Sequence, residues 1–182
     1  MALEFTTSYL QDSLTLLRFY KRLGEGAMGQ VQDEQLQATL DPEMNSMAQI
    51  VKHLHGNMLS RWTGFPDVDG ESPARDRDGE FEAAPATRSE VMALWNQGWD
   101  SVFAALAPLE DGDMSRTVRI RGEAHSIMQA VNRQVTHYAY HVGQMVFLAK
   151  HFQHAKWKSL SIPRGQSREF NSRVAGGKSS QR

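Results

Sequence analysis

"NRQVTHYAYHVGQMVFLAKH", residues 132–151, closes the longest apolar-periodic stretch of the chain. Tyr138 and Met145 recur at helical spacing with Ile127, while Val131, Leu148 and Phe152 lie close to the same stripe. The pattern predicts one long helix over about Glu123 to Phe152, amphipathic rather than apolar all round. On that wheel His141 falls roughly 40° and His137 roughly 80° from the stripe centre, both on one side. Residues four apart on a helix stand about 5–6 Å apart at Cβ. An ion of zinc size, bound at about 2 Å from each imidazole nitrogen, can be chelated across that gap. The plainer alternative is a pair of core histidines donating to backbone carbonyls. The His-Glu-x-x-His pattern is absent, because residues 138–140 are Tyr, Ala and Tyr, so no base lies between the two rings.

Three further helices are predicted upstream. The first covers Leu3 to Leu23, with Phe5, Leu10, Leu14 and Leu17 in phase, and Gly24 and Gly26 are read as its stop. "QVQDEQLQATLDPEMN", residues 30–45, reads as a loop or short turn, and Asp41 before Pro42 as the start of a second helix reaching Trp62. Residues 63–86 break every periodicity and are rich in Gly, Pro and Asp, a length of loop that is usually functional or disordered. Thr87 followed by Glu90 is a capping-box pattern opening a third helix that runs to Pro108. "SRTVRIRGE" alternates apolar and basic residues, which allows a short strand or hairpin before Gly122. The expectation is an all-α four-helix bundle over residues 1–160, with a long crossover between its second and third helices. A basic, partly disordered tail over 161–182 would follow it.

The composition is that of an ordinary globular domain: 182 residues, 40% hydrophobic, 23% charged, formal net charge −1. No run approaches the eighteen apolar residues of a membrane span, so no membrane partner is expected. The N-terminus carries Glu4 and Asp12 and no positive region, unlike a secretory signal, and a cytoplasmic location is expected. Without cysteine there is no disulfide, thiolate ligand or cysteine nucleophile, so any thiol chemistry needs a thiol brought from outside. From Lys156 onward seven Lys or Arg face one Glu, leaving 13 basic and 20 acidic residues upstream. A basic tail without an organised reader gives only salt-sensitive contacts, so nucleic acid is not an expected partner.

A third ligand for an ion must come from another helix. "KHLHGN", residues 52–57, offers His53 and His55 on nearly opposite faces, and the wheel does not choose between them. His125 lies too far along the last helix from His141, and His151 and His154 read as surface or capping groups. Asn57 and Gln144 sit near the candidate ligands on their own helix faces. They could orient water or a ligand ring, or equally satisfy backbone groups at helix contacts. Arg61, Arg119, Arg121 and Arg133 could bind an acidic substrate, although a solvated salt bridge is the commoner role for any one of them.

"NSMAQIVKHLHGNMLSRWTGF", "VRIRGE" and "NRQVTHYAYHVGQMVFLAKH" together resemble the DinB/YfiT-like superfamily, in particular its subgroup of small bacterial proteins of unassigned function. The resemblance implies an up-down-down-up four-helix bundle, commonly dimeric, in which three histidines hold Zn²⁺ or Ni²⁺. It places those ligands on His53, His137 and His141, and it is the resemblance that selects His53 over His55. Three neutral imidazoles leave such an ion an open position, where a bound water is acidified or a small thiol held as thiolate. The activity implied is a thiol-dependent transferase or a hydrolase acting on a small molecule. The alternative is a non-catalytic dimeric binding or stress-response module with a structural or vestigial metal. No Asp or Glu is spaced to act as a base beside the histidines, unless the acidic loop folds over them.

Overall fold

The computed structural model describes residues 8–179. The chain is mostly helical with one two-stranded sheet, in keeping with an all-α class. In chain order it forms α1 (Tyr9–Met28), α2 (Asp33–Gln37), α3 (Met47–Trp62), α4 (Gly79–Glu82), α5 (Arg88–Leu106), β1 (Thr117–Ile120), β2 (Glu123–Ser126), α6 (Ile127–Gln153) and α7 (Ser167–Ala175). Among the long helices, α3 packs on α5 and α1 on α6, while α3 also touches α6. One apolar core joins them, with Leu17, Leu54, Trp95, Trp99, Tyr138 and Met145 all but excluded from water.

Three expected boundaries were wrong: the end of α1, the start of α3 and the start of α6. Gly24 and Gly26 do not end α1, which continues to Met28. A Cβ on Gly24 would stand 2.5 Å from Cη2 of Trp95, and one on Gly26 2.8 Å from Leu160. These glycines admit neighbouring side chains against the helix, so their role is close packing rather than chain reversal. Residues 3–7 of the expected first helix lie outside the described residues. Asp41-Pro42 likewise starts a turn, not a helix: Asp41 Oδ1 accepts the Glu43 N–H at 2.9 Å. The helix begins five residues later, where Ser46 and Gln49 form a reciprocal capping box.

The Thr87–Glu90 capping box opens α5 as read from sequence. The hairpin also forms, pairing Val118 with His125 and Ile120 with Glu123. Arg121 (φ 56°) and Gly122 (φ 78°) are its central turn residues, the left-handed pair that a tight two-residue hairpin requires. Glu123 is therefore strand, and the last helix starts at Ile127 behind a Ser126 cap. Twenty-seven residues then carry α6 about 40 Å, far enough to present one end to the hairpin and its middle to α3.

The 63–86 loop is stitched down at several points. Asp69 accepts the backbone N–H groups of Arg121 and Gly122 at 2.8 and 2.7 Å, tying the loop to the hairpin turn. Gln49 of α3 donates to the Phe81 carbonyl at 2.7 Å, and Lys52 to that of Ala83 at 2.8 Å. Short as it is, α4 is thereby laid against α3. Within the basic C-terminal segment, α7 forms with every residue exposed or partly exposed. No described helix is long and apolar enough to cross a membrane.

Candidate metal centre

The buried faces of α3 and α6 bring three imidazoles together. His53 and His141 are 6% and 8% exposed, and His137 is partly buried. Nε2 of His53 lies 3.3 Å from Nε2 of His137. One ligand nitrogen from each of the three residues falls within 4.8 Å of the others, so the group could hold a metal ion. His55 turns the other way, its Nε2 2.9 Å from Gln97 Oε1 on α5. His125 is on β2 beside Glu123, while His151 and His154 pack against each other at the end of α6.

The loop supplies what the helices lack. Glu80, on α4 and 5% exposed, sets Oε2 2.8 Å from Nδ1 of His53. Arg75 grips the same carboxylate from behind, Nε to Oε1 at 2.7 Å and Nη2 to Oε2 at 2.9 Å. Room for this arrangement comes from Gly56, where a Cβ would stand only 2.1 Å from Glu80 Oε1. Phe81 stacks on the His53 ring with centroids 4.7 Å apart. Neither Glu80 nor Arg75 was singled out from sequence. The available signals were a glycine in mid-helix three residues past a histidine, and the acidic loop already noted as able to fold above the site.

The proton positions follow from these contacts. A carboxylate can only accept, so His53 donates from Nδ1 to Glu80 and turns Nε2 toward the other rings. His141 is held likewise, its Nδ1 donating to Gln144 Oε1 at 3.0 Å. Burial, then repulsion from His141 and His53, pushes His137 down to about 3. Burial and His53 push His141 down to about 4, against a weaker upward pull from Gln144. Both rings are neutral near pH 7 and offer lone pairs. Burial opposes ionisation of Glu80, but hydrogen bonds from Arg75 and His53 outweigh it and hold the carboxyl below its usual range.

This donor set fits a divalent ion. Two nitrogens each about 2.05 Å from a tetrahedral ion stand about 3.3 Å apart, which is the His53–His137 spacing. A carboxylate on the far nitrogen of one ligand and an amide oxygen on that of another are the usual means of fixing ring orientation around a metal. Asn57 makes no hydrogen bond to any of the three histidines; its Oδ1 is buried and unpartnered.

Beside the histidines a cavity of about 290 Å³ opens, lined by His53, His137, Asn57, Arg61, Gln134, Arg133 and Tyr140 among others. A larger hollow of about 700 Å³ lies between α1 and the C-terminal segment, with Phe19, Leu160 and Phe170 in its wall, but no histidine lines it. Of the four arginines considered from sequence, Arg61, Arg121 and Arg133 line the smaller cavity. Arg119 instead donates to the Gly122 carbonyl within the hairpin.

Residues 4–166 match the model of a protein family described as "Protein of unknown function (DUF1572)", and the chain belongs to that family. No curated protein and no solved structure matches the chain.

Proposed function

We propose that this DUF1572 protein is a divalent-metal-dependent enzyme acting on a small molecule. His53, His137 and His141 would hold the ion, zinc or nickel by the chemistry of an all-imidazole donor set. The observation that carries the reading is the convergence of three imidazoles, two of them held in orientation from behind, by Glu80 on His53 and by Gln144 on His141. Bound there, such an ion supplies a Lewis acid that polarises a substrate group or activates a nucleophile. The adjoining cavity favours a catalytic site over a structural one, since structural sites are closed by a fourth protein ligand.

The residues of the chain divide the remaining work. Glu80 keeps the proton on Nδ1 of His53, and Arg75 keeps Glu80 ionised and in place. Its pairing with a buried arginine makes Glu80 a poor proton acceptor, so its role is to position His53. Asn57, Tyr140 and the arginines would meet the substrate in the cavity. The likeness to the DinB/YfiT-like superfamily supports a four-helix bundle that works as a homodimer. It also favours a thiol-dependent transferase-like or hydrolase-like reaction, with a low-molecular-weight thiol entering as co-substrate.

Elemental analysis of the purified protein tests the centre. About one equivalent of zinc or nickel is expected in the wild type, and less than about a tenth in His137→Ala. A wild type that also holds less than a tenth of an equivalent, even after incubation with either metal, overturns the reading. Electrophile screens with and without small thiols then separate transfer from hydrolysis. Turnover of nothing by a fully loaded protein would make it a binding module instead.

A further inference from the structure

The cavity beside the histidines is built from two rows of side chains. On α3, His53, Asn57 and Arg61 follow one another at intervals of four, and on α6, His141, His137 and Arg133 do the same in reverse. Each row therefore leads along a helix face from imidazole to guanidinium. Five arginines line the cavity, and no carboxylate does. Three of the five are engaged: Arg75 by Glu80, and Arg77 and Arg121 by Glu71 at 3.8 and 3.3 Å. Arg61 and Arg133 form no ion pair among the described residues.

Arg61 is the anomaly. It is 3% exposed, and its Nε and Nη1 are shut off from solvent with no hydrogen-bond partner. Gly70 closes over it so tightly that a Cβ there would stand 2.6 Å from Nη1. A buried cation with no carboxylate in ion-pair contact is among the costlier features a fold can carry, and persists where something else repays it. Arg121 and Arg133 add repulsion rather than relief, and the attraction of Glu71 and Asp69 does not outweigh the burial that holds the guanidinium below its usual range. Two more buried orphans face the same space, Oδ1 of Asn57 and Oε1 of Gln134. None of these atoms is paired within the protein, and Arg61 has no carboxylate in ion-pair contact among the described residues.

We infer that this cavity binds the oxyanion group, a carboxylate or a phosphate, of a small molecule, with Arg61 and Arg133 as its partners and Asn57 and Gln134 receiving a neighbouring hydroxyl or amine. Arginine's planar fork matches either oxyanion. His53 and Arg61 are separated by about 12 Å along α3, and His137 and Arg133 by about 6 Å along α6, so a compact molecule anchored at the arginines reaches the histidines. Calling that molecule the substrate rests on the proposed metal centre; the anion site itself stands on the arginines.

The test uses the full chain, metal-stripped and zinc-loaded, with inorganic phosphate and acetate as probes and sodium chloride at matched ionic strength as control. Ligand that binds only the folded form raises Tm in a saturable, concentration-dependent way. Saturation by phosphate, acetate or both is expected in both forms of the protein, and the stronger of the two identifies the oxyanion. Arg133→Gln, at an exposed position, and Arg61→Met are each expected to weaken it at least about tenfold. His137→Ala is expected to lose metal and keep the anion. No saturable response beyond chloride, or equal responses in wild type and Arg133→Gln, overturns the inference. So does a response that vanishes on metal removal while ignoring both arginine variants, since the anion would then sit on the metal. An anion response that depends on the arginines, in a protein that takes up no metal, sinks the metal centre and leaves the anion site standing.

Discussion

Replacing Glu80 with Gln tests whether the loop tunes the histidine centre or merely covers it. The carboxylate accepts three hydrogen bonds, from His53 Nδ1 at 2.8 Å and from Arg75 at 2.7 and 2.9 Å. Glutamine has nearly the same shape but one acceptor oxygen and no charge. It can still accept from His53 or from Arg75, but its NH₂ then confronts the other donor. Two effects follow, and they read out separately. The Arg75 side chain, 4% exposed, loses its counterion, and breaking a buried pair from one side costs about 3–5 kcal/mol of folding stability. The His53 ring exchanges its carboxylate for one neutral oxygen contested by Arg75, and loss of such a partner typically weakens a metal site by up to about 10–100-fold, or about 1.4–2.7 kcal/mol. Zinc affinity would be measured by competition with a chromophoric chelator, and stability by urea denaturation of the metal-free form. Arg75→Gln is the control: it shares the stability loss but leaves His53 its acceptor, so its zinc affinity should fall less. An E80Q protein that is folded and binds zinc within about twofold of wild type would refute the positioning role, whatever its stability.

Three other outcomes follow from the structure. Gly24→Ala gains about 1 kcal/mol of helix propensity but drives a methyl into the buried Trp95 ring, an overpacking cost of about 1–3 kcal/mol, so a net loss is expected by urea denaturation; a more stable variant would mean that Gly24 is not there for packing. Tyr138→Phe leaves the Trp62 indole N–H, now 2.8 Å from the Tyr138 hydroxyl, buried and unpaired, which should cost about 1–3 kcal/mol while leaving metal content unchanged. His137 and His141 titrate near 3 and 4 in the folded protein and near 6.5 unfolded, so between roughly pH 4 and 6.5 the unfolded chain binds more protons. Stability of the metal-stripped protein should therefore rise with pH across that window and level off above it. The rise should be smaller in His137→Ala, and a Tm that is flat or falling from pH 4 to 6.5 would contradict the burial of the two rings.

The helices were legible where a signal and its physical cause sit within a few residues of each other. Thr87 and Glu90 bond each other across a single turn, so the start of α5 could be read directly. The alternation in "TVRI" and the Arg-Gly pair that follows likewise forecast a hairpin whose contacts are all local. Gly24 misled for the opposite reason, since it answers to Trp95, seventy-one positions away; Pro42 misled because a stronger cap, Ser46 with Gln49, follows it within one turn. A glycine in a helical pattern is ambiguous until its neighbour in space is known.

The same distinction separates the two halves of the site. His137 and His141 share one helix, and periodicity alone placed them on one flank; His53 and His55 straddle a helix face, and only Gln97 on α5 shows why His55 turns away. Glu80 lies twenty-seven residues from His53, in a loop with no period to read, so no wheel could reach it. Yet its place was written into α3 as an absence. A side chain at position 56 would occupy the carboxylate's volume, and glycine costs an interior helical position about 1 kcal/mol, so this one is held by the contact it permits. Gly70 over Arg61 repeats the device at the other end of the cavity. Two glycines thus admit the two charged groups that flank the histidines, an anion behind His53 and a cation beyond Asn57. A fold needing only a stable core would have filled both spaces with methyls, and the polarity kept there is what sets this cavity apart from the apolar core around it.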